Sequence, residues 1–535
     1  MNGVTTALTR RQLLGRIGLA AGGTMMYQAM SSLGYAAESS YKGPVKLQGN
    51  PKGATVLILG AGVAGMTAAY EMRKAGYKVK ILEYNARPGG RNWSIHGGDT
   101  YTELGGHTQH CQFDSNLYLN PGPWRIPHHH RGLLHYCKQF NVKLESFNQV
   151  NYNALLHNTK AFGGKPQRFR EIDADYKGHV SELLAKACQQ GALDQAVTKD
   201  DQELLLESLR SWGALDKNMA YVKGEASSTR RGFSKFPGGG ISGKPEFSEP
   251  MGMDKVLNSH LWAALAAGNN YEMQTTMFQP VGGMDQIGKA FARELGPGTI
   301  QYNARVVQID QDDHGVTVTY EDHGADGARR TAKADWCICT IPFSVLSRIP
   351  IQVGQAMSDA ITHLPYAASV KVGLQFKRRF WEEDEAIYGG ISYTDLPITQ
   401  ISYPSTDYHS PGKGVLLGAY IWGLDAYDFT SHTPEERVRQ ALEYGSQLHP
   451  QYKPEFDNGV SVGWHRVPWT HGCFGQWSED LRAQHYKAAT QIDGRIAMAG
   501  EHISYIPAWQ EGAVLSALDV IGRLHSKVMA TGGQA

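Results

Sequence analysis

The hydrophobic pattern of the chain predicts a few strands buried on both faces, with helices between them. Short apolar runs cover residues 56–59, 79–82, 336–341 and 495–499. Helical spacing follows the first run and recurs near the end, over residues 62–74 and 512–524. Because these strands and helices are scattered along the sequence, we predict one α/β domain assembled from separated segments, with a second domain inserted into it.

The stretches between these runs have other patterns. Residues 299–320 alternate between apolar and polar positions around a turn at 312–315, which predicts a β-hairpin. Residues 171–211 are polar and helix-rich, and residues 369–422 are strand-rich. We therefore predict a first domain made of residues 38–127, 271–345 and 486–527, a helical insertion over 128–270, a second domain over 346–485, and a tail over 528–535.

The N-terminus predicts an export signal over residues 1–37. The adjacent Arg10 and Arg11 precede a modest apolar stretch, residues 17–30, which is typical of a twin-arginine signal and of a periplasmic or secreted protein. A disordered basic leader is the alternative, and the sequence leaves cleavage of the signal open. The stretch is too short and glycine-rich to span a bilayer, and no later run is long enough, so we expect no stable membrane insertion.

Composition narrows the class of protein. Hydrophobic residues make up 41% of the 535 residues, which excludes a disordered chain. The 52 basic and 51 acidic side chains nearly cancel, which argues against a general nucleic-acid binder. Six cysteines in so long a chain do not form a disulfide framework. Cys337 and Cys339 lie in an apolar run, so we expect buried thiols there and no metal site.

A glycine motif, Gly60-x-Gly62-x-x-Gly65, lies between the first predicted strand and the first helix. In this position Gly60 makes the tight turn, Gly62 lets the backbone approach a pyrophosphate, and Gly65 lets helix pack on strand. The free N–H groups at the start of the helix favour phosphate. Glu83 ends the next strand and can accept hydrogen bonds from ribose hydroxyls. Together these features predict a dinucleotide site.

A second glycine turn, Pro88-Gly89-Gly90-Arg91, follows Glu83 and favours FAD, because Arg91 can bind a pyrophosphate. At this point the sequence resembles the flavin amine oxidase family, which includes L-amino acid, monoamine and polyamine oxidases. The resemblance extends over residues 54–524. Further segments that carry it are residues 103–106 (ELGG), 280–285 (PVGGMD), 303–306 (NARV), 339–342 (CTIP) and 499–501 (AGE).

The resemblance implies the fold and the cofactor. The fold is a Rossmann-like FAD-binding domain of the glutathione-reductase type, with an α+β substrate-binding domain and a helical insertion, as in monoamine oxidases. The helix over 512–524 would direct its N-terminus at the flavin or its phosphates. Besides the glycine motif, the implied FAD contacts are Glu83, Arg91, Gly106, Trp124, Arg125, Val306, Glu501 and Ala513.

One segment favours L-amino acid oxidases within the family. Residues 122–131 read GPWRIPHHHR and resemble the segment whose first arginine binds the substrate carboxylate, here Arg125. A guanidinium presents a planar fork that matches a carboxylate, whereas an enzyme for simple amines has no use for it. Trp124 replaces the usual methionine, and an insertion over residues 107–119 precedes the segment. For the three histidines we expect solvation or packing.

Other segments of the resemblance imply the rest of a substrate pocket. Tyr420 would add a second bond to the carboxylate, the carbonyl of Ala508 would accept from the amino group, and Phe474 and Trp509 would form aromatic walls. Lys371 would hold a water at flavin N5 and assist electron transfer to dioxygen. We assign Lys371 and Trp509 to catalysis. The implied reaction passes the Cα hydrogen to FAD as hydride and yields a 2-oxo acid, ammonia and hydrogen peroxide.

Several alternatives stay open. We expect FAD to be bound without a covalent bond, as in L-amino acid oxidases generally. The alternative is a thioether to Cys473, because this residue corresponds to the flavin-bonded cysteine of monoamine oxidases. A monoamine or polyamine oxidase, an amino-acid monooxygenase and a non-catalytic flavoprotein are the rival functions. The family implies L-amino acid and dioxygen as partners and a homodimer as the assembly. The side-chain preference is not readable, because the insertion that would shape the pocket has few motifs.

Overall fold

The structure is a computed structural model that describes residues 38–193 and 197–532. The predicted export signal and the last three residues of the predicted tail lie outside this range. A six-stranded sheet forms the first layer, and its five leading strands are parallel. In spatial order its strands are Ile300–Gln301, Lys78–Leu82, Thr55–Leu59, Trp336–Cys339, Ile496–Met498 and Ile492–Asp493. The sheet is therefore drawn from widely separated segments.

Successive side chains of a strand point to opposite faces of the sheet, and here each face packs into a separate hydrophobic core. Val56 and Ile58 face a layer of helices, and Leu57 and Cys339 face the opposite side. The helices of the first layer are Val63–Lys74, Arg131–Gln139, Asp285–Leu295 and Gln510–Gly532. Because both faces are covered, the central strands Thr55–Leu59, Trp336–Cys339 and Ile496–Met498 are almost entirely apolar, and the prediction of buried thiols at Cys337 and Cys339 is confirmed.

A three-stranded antiparallel meander covers the second face. Its strands are Ala304–Gln311, Val316–Asp322 and Ala328–Ala334. The predicted hairpin is present, with its turn at the predicted place, but it begins at Ala304, because residues 300–301 join the parallel sheet instead. The strand over 328–334 was not predicted, since its side chains are mostly exposed and polar and leave no alternating apolar signal.

The last helix is longer than predicted and reaches Gly532, so residues 528–532 of the predicted tail are helical. The added turns are anchored to the body of the protein. His525 pairs with the carbonyl of Gln48 over 2.8 Å, the amine of Lys527 donates to the carbonyl of Gly494 over 2.9 Å, and Val528 is buried. These contacts stabilise the helix beyond residue 524, where the predicted apolar helix ends.

A seven-stranded sheet forms the second layer. In spatial order its strands are Gln167–Arg168, Leu155–His157, Ile391–Thr394, Gln400–Ser402, Gly414–Trp422, Ser369–Phe376 and Phe456–Gly463. One face packs on the helices Gly423–Thr430 and Pro434–Gly445, and the other carries Tyr420 and Trp422 toward an aromatic cluster. The strand-rich stretch is thus confirmed. A buried bidentate ion pair, Arg437 with Glu103, ties this layer to the segment that precedes the predicted insertion.

The predicted helix-rich stretch is also confirmed. The helices between residues 128 and 270 that lie outside the first layer are Phe169–Gln189, Lys199–Trp212, Glu225–Arg231 and Met253–Asn258. A small sheet of Ile126–Pro127, Met277–Pro280 and Leu144–Phe147 closes this insertion back onto the first layer. Phe278 pairs with Ile126 in this sheet, so the strand that follows the insertion lies next to the segment that carries Arg125.

The remaining elements are short. The strand pairs are Ile95–His96 with Tyr118–Leu119, Thr100–Thr102 with Thr108–His110 and Phe233–Lys235 with Glu246–Phe247. The α-helices are Phe343–Leu346, Gln355–His363, Phe380–Glu383, Tyr452–Glu455, Glu479–Leu481 and Lys487–Ala489. The 3₁₀ helices are Phe162–Gly164, Leu261–Gly268, Tyr271–Met273, Trp464–Arg466 and Glu501–Ile503, and Arg482–Tyr486 is a π-helical segment. Across residues 38–193 and 197–532, each helix is too short or too polar to cross a membrane. Loops of both layers enclose a large cavity between the two sheets.

Candidate active site

The cavity has a volume of about 780 Å³, within the range of small-molecule and cofactor sites. One end is built from the loops at the carboxyl ends of the parallel strands, and the other from the aromatic face of the second sheet. Most of the site residues predicted from sequence line it: Gly60, Gly62, Glu83, Arg91, Trp124, Arg125, Val306, Tyr420, Cys473, Phe474, Glu501, Ala508, Trp509 and Ala513. The structure thus brings together residues that are more than 400 positions apart.

The glycine motif has the geometry that its predicted roles require. A Cβ on Gly65 would lie 2.0 Å from the carbonyl oxygen of Gly60, so helix and strand approach too closely for any side chain there. Gly62, by contrast, faces open space, with no atom within 4 Å of a Cβ built on it. Glu83 accepts a 2.6 Å hydrogen bond from the Ala61 N–H, which fixes its carboxylate beside the turn.

A buried ion pair organises the middle of the cavity. Nη1 of Arg91 lies 2.7 Å from Oε1 of Glu501 and also donates to the carbonyl of Cys473 over 2.7 Å. Burial alone lowers the pKa of Arg91, but the Glu501 carboxylate outweighs it and the net pKa is raised. The other oxygen of Glu501 accepts from the N–H of Ala508 over 3.0 Å. Arg91 and Glu501 therefore position the segments that carry Cys473 and Ala508.

These features fit a dinucleotide flavin. Gly62 offers bare backbone at the start of the helix Val63–Lys74, whose N-terminus has no side-chain cap. Ala513, in the first turn of Gln510–Gly532, brings a second helix N-terminus to the cavity wall. Arg91 supplies a cation, and Val306 lies on the wall at the Glu83 end. Open backbone, helix dipoles and a cation are the groups that a pyrophosphate requires.

Arg125 is a buried cation in need of an anion. Its side chain lines the cavity at 4% exposure, and its Nε and Nη1 have no hydrogen-bond partner within the described chain. The guanidinium lies 4.7 Å from the ring centre of Trp124 and 5.9 Å from that of Phe147. Ring contacts offset only part of the cost of burying a charge. The site therefore favours an anionic ligand group at Arg125.

Aromatic side chains enclose the same end of the cavity. The ring of Tyr420 lies 5.5 Å from Trp124 and 4.7 Å from Trp422, and Trp422 lies 5.8 Å from Phe474. Trp422 was not predicted, although its place two residues after Tyr420 puts it on the same face of the strand. Such walls exclude water and strengthen electrostatic interactions within them.

Ala508 has an unusual backbone conformation for a residue with a side chain. Its φ is +70°, in the left-handed region that usually requires glycine. Ala508 is one of the residues predicted to contact the substrate, and Trp509 follows it directly. Strain of this kind is commonly concentrated at functional sites, where the surrounding structure holds it in place.

The predicted catalytic residue Lys371 lies on the strand Ser369–Phe376. It is fully buried but lies outside the cavity lining, and its Nζ donates to the carbonyls of Gly122 over 2.5 Å and Asn120 over 3.2 Å. Its Nζ also lies 4.8 Å from the ring centre of Trp124 and 4.4 Å from that of Tyr420. Burial lowers the pKa of this amine well below its usual value. A buried amine requires acceptors, and here the turn that carries Trp124 supplies them.

Gly106 is also outside the cavity. It is exposed, with a φ of +89°, in the turn of the hairpin formed by Thr100–Thr102 and Thr108–His110. Its nearby residue Leu104 lines the cavity instead. The hairpin turn requires the glycine, and this requirement explains the motif without a cofactor contact.

Residues near the two ends of the helical insertion add buried groups that the sequence did not reveal. The side chain of Glu272, just after the insertion, is 2% exposed. Burial raises the pKa of Glu272 to about 7, although Trp509 and Arg125 lower it. His129 and His130 are buried against Tyr271 and Trp509, so packing is confirmed for them and solvation is not. No metal-binding cluster occurs in the part of the chain that the structure describes.

The family model for flavin-containing amine oxidoreductases matches residues 63–520. The chain is 27% identical to YobN of Bacillus subtilis (strain 168), over 87% of this chain and 93% of that protein. It is 26% identical to an L-amino-acid oxidase of Siganus canaliculatus, over 89% of this chain and 86% of the relative. Among solved structures, cyclohexylamine oxidase from Brevibacterium oxydans IH-35A superposes with a TM-score of 0.59 at 16% identity, over 89% of this chain and 99% of that one.

The protein therefore belongs to the family of flavin-containing amine oxidoreductases. The predicted fold, a Rossmann-like domain joined to a substrate-binding domain, is confirmed. Membership implies a flavin enzyme whose substrate carries an amino group.

Proposed function

We propose that the protein is an FAD-dependent L-amino-acid oxidase, which converts an L-amino acid, dioxygen and water to a 2-oxo acid, ammonia and hydrogen peroxide. The observation that carries the proposal is Arg125, a buried guanidinium on the cavity wall with two nitrogens unpartnered within the described chain. A simple amine brings no group for this cation, whereas an amino acid brings a carboxylate that matches its fork. The relative from Siganus canaliculatus supports the same substrate class.

In this proposal FAD is held without a covalent bond by the glycine motif, Glu83, Arg91 and the first turn of Gln510–Gly532. When bound, FAD accepts the Cα hydrogen with its electron pair and passes the electrons to dioxygen. Gly62 leaves room for the phosphates, since a Cβ there would project into open space. The Arg91–Glu501 ion pair fixes the loop of Ala508 against the cavity.

The substrate is held at two separate points. Arg125 binds the carboxylate with a second bond from Tyr420, and the carbonyl of Ala508 accepts from the amino group. Phe474 and Trp509 exclude water and orient the Cα–H toward the flavin end of the cavity. Two fixed points and one reactive face select a single enantiomer. Lys371 supports the turn that carries Trp124 and Arg125, through its bonds to Asn120 and Gly122.

The proposal is tested with two substrates that differ by one group, L-leucine and 3-methylbutylamine, which is leucine without its carboxylate. Anaerobic addition of L-leucine should bleach the flavin absorbance, and the amine should not. Bleaching by the amine alone would contradict the proposal and favour a monoamine or polyamine oxidase.

That second candidate is favoured by one observation. Cys473 lies on the cavity wall, at the position where the resemblance to monoamine oxidases places a flavin-bonded cysteine. Product analysis distinguishes the proposed oxidase from an amino-acid monooxygenase. An oxidase forms 2-oxo acid and hydrogen peroxide in equal amounts, whereas a monooxygenase releases an amide and carbon dioxide.

A further inference from the structure

The carboxylate of Glu511 connects the start of one helix to the start of another. Glu511 lies in the first turn of Gln510–Gly532 and is fully buried. Its Oε1 accepts a 2.8 Å hydrogen bond from the N–H of Gly132, and its Oε2 accepts a 2.7 Å bond from the N–H of Leu133. Both N–H groups belong to the first turn of the helix Arg131–Gln139.

The helix Arg131–Gln139 obtains its N-terminal cap from Glu511 and not from its own sequence. The residue before it, His130, makes no side-chain capping bond within the described chain, and the first turn of this helix has no acidic residue. The first N–H groups of a helix have no partner inside the helix, so a carboxylate there satisfies them and is favoured by the helix dipole. A buried carboxylate requires donors in turn, and each partner therefore holds the other in place.

A third donor to Glu511 comes from the N-terminal segment. The hydroxyl of Ser39 donates to Oε1 of Glu511, and Ser39 is 2% exposed. The Ser39 carbonyl accepts from Nη2 of Arg131 over 2.9 Å, and the same Nη2 lies 3.1 Å from Oε1 of Glu38. Ser40, the next residue, is exposed instead. Ser39 therefore completes the set of donors around the carboxylate.

Close packing fixes the distance between the two helix starts. A Cβ built on Gly132 would lie 2.9 Å from Oε1 of Glu511 and 3.1 Å from a methyl carbon of Val514, where ordinary contact begins at 3.4 Å. The rings of Trp509 and His130 lie 5.0 Å apart beside the same contact. Hydrogen bonds and packing thus determine one spacing together.

The two helix starts lie beside the two proposed attachment points of the substrate. Arg125 is in the segment that leads into Arg131–Gln139, and Ala508 directly precedes the start of Gln510–Gly532; both residues line the cavity. In the proposed function Arg125 binds the substrate carboxylate and the Ala508 carbonyl accepts from the amino group. The distance between the two segments therefore decides how the Cα–H faces the flavin end of the cavity.

We propose that Glu511 is a positioning residue that fixes the distance between the carboxylate-binding and amine-binding segments, with Ser39 as its supporting donor. The inference rests on the proposed function. It predicts that loss of the contact slows reduction of the flavin by the substrate, whereas binding of a ligand that uses Arg125 alone is little changed.

The test is anaerobic stopped-flow reduction of the holoenzyme by saturating L-leucine. Glu511→Gln keeps the volume but places an amide NH₂ against one of the two helix N–H donors, and Gly132→Ala keeps the carboxylate but forces the two helices apart. Each variant should lower the limiting rate of flavin reduction by at least about ten-fold, because a misplacement of about 1 Å can cost about 100-fold. Ser39→Ala, the mildest change, should lower the rate by at least about three-fold.

Binding and hydrogen exchange give readouts without turnover. The affinity of Glu511→Gln for 4-methylpentanoate, which is leucine without its amino group, should stay within about two-fold of the wild type, because Arg125 is intact. The amides of residues 132 and 133 lose an acceptor in this variant, so a peptide covering residues 131–139 should exchange faster than in the wild type.

Two control variants separate positioning from stability. Ser40→Ala changes the exposed neighbour of Ser39 and should leave both the reduction rate and the exchange of residues 131–139 unchanged. Val520→Ala removes fully buried atoms farther along Gln510–Gly532, so it should lower the unfolding midpoint without lowering the reduction rate.

A reduction rate of Glu511→Gln equal to that of the wild type overturns the inference. An equal fall in Val520→Ala also overturns it, since loss of stability alone would then explain the result. Where Glu511→Gln does not retain its flavin spectrum, an unchanged rate in Ser39→Ala has the same meaning. If L-leucine does not reduce the wild-type flavin, or if Arg125→Gln binds 4-methylpentanoate as well as the wild type, it is the proposed function that fails.

Discussion

Two glycine-to-alanine substitutions in one motif, at Gly62 and Gly65, should affect cofactor binding and folding separately. A Cβ at residue 65 would lie 2.0 Å from the Gly60 carbonyl oxygen and 3.2 Å from a side-chain carbon of Ile58, where ordinary contact begins at 3.4 Å. Backbone must move to admit it. A Cβ at residue 62 meets nothing within 4 Å and points into the space that the phosphates would occupy.

We therefore expect Gly65→Ala to affect the stability of the fold and Gly62→Ala to affect the affinity for FAD. Gly65→Ala overpacks the helix–strand contact and should lower the free energy of unfolding of the apoprotein by about 1–3 kcal/mol. Gly62→Ala should change it by less than about 0.5 kcal/mol, since its backbone has an ordinary extended conformation. The same variant should bind FAD about ten-fold more weakly, because its methyl group displaces the pyrophosphate.

Urea unfolding of the apoproteins and FAD titration by flavin fluorescence quenching measure the two quantities separately. Gly62→Ala with unchanged FAD affinity would refute the placement of the pyrophosphate at this turn. Gly65→Ala with unchanged stability would refute the close packing of helix on strand.

Three further predictions concern other parts of the chain. Arg437→Met leaves the buried carboxylate of Glu103 with only its longer ion pair to Arg466, at 3.6 Å, and should cost about 3 kcal/mol in urea unfolding, whereas Arg437→Met combined with Glu103→Leu should recover much of the loss. Acid precipitation should release the flavin into the supernatant and leave none on the protein; flavin retained in the wild type but not in Cys473→Ala would show a thioether. Replacing Arg10 and Arg11 by lysine should keep the protein in the cytoplasm of a bacterial host, and fractionation showing normal export would refute a twin-arginine signal.

Local sequence signals were sufficient to predict the core of the fold. The run at residues 56–59 and the glycines that follow specify strand, turn and helix through backbone requirements that no distant residue changes. Arg125 was predicted from the resemblance of residues 122–131 to a family segment whose first arginine binds the substrate carboxylate. The end of the last helix was not predictable, since it depends on contacts of His525 and Lys527 with distant carbonyls.

The remaining site residues depend on tertiary neighbours. The sequence showed that Lys371 lies in an apolar strand, but not that the carbonyls of Asn120 and Gly122 are within its reach. Glu272 carries no local signal, because a single glutamate outside any motif is not distinguished by the sequence, and only the structure shows that it is buried. Gly106 belongs to a sequence motif but lies outside the cavity, and the hairpin turn that contains it explains its positive φ.

The specificity of Arg125→Gln tests the central claim most directly. The measurement is kcat/KM for L-leucine and for 3-methylbutylamine with the wild type and the variant. Loss of the charge should lower kcat/KM for L-leucine by about 30-fold to about 5,000-fold, which corresponds to about 2–5 kcal/mol, and the amine should give no activity with either protein. An unchanged kcat/KM for L-leucine would contradict the assignment of Arg125 to the substrate carboxylate.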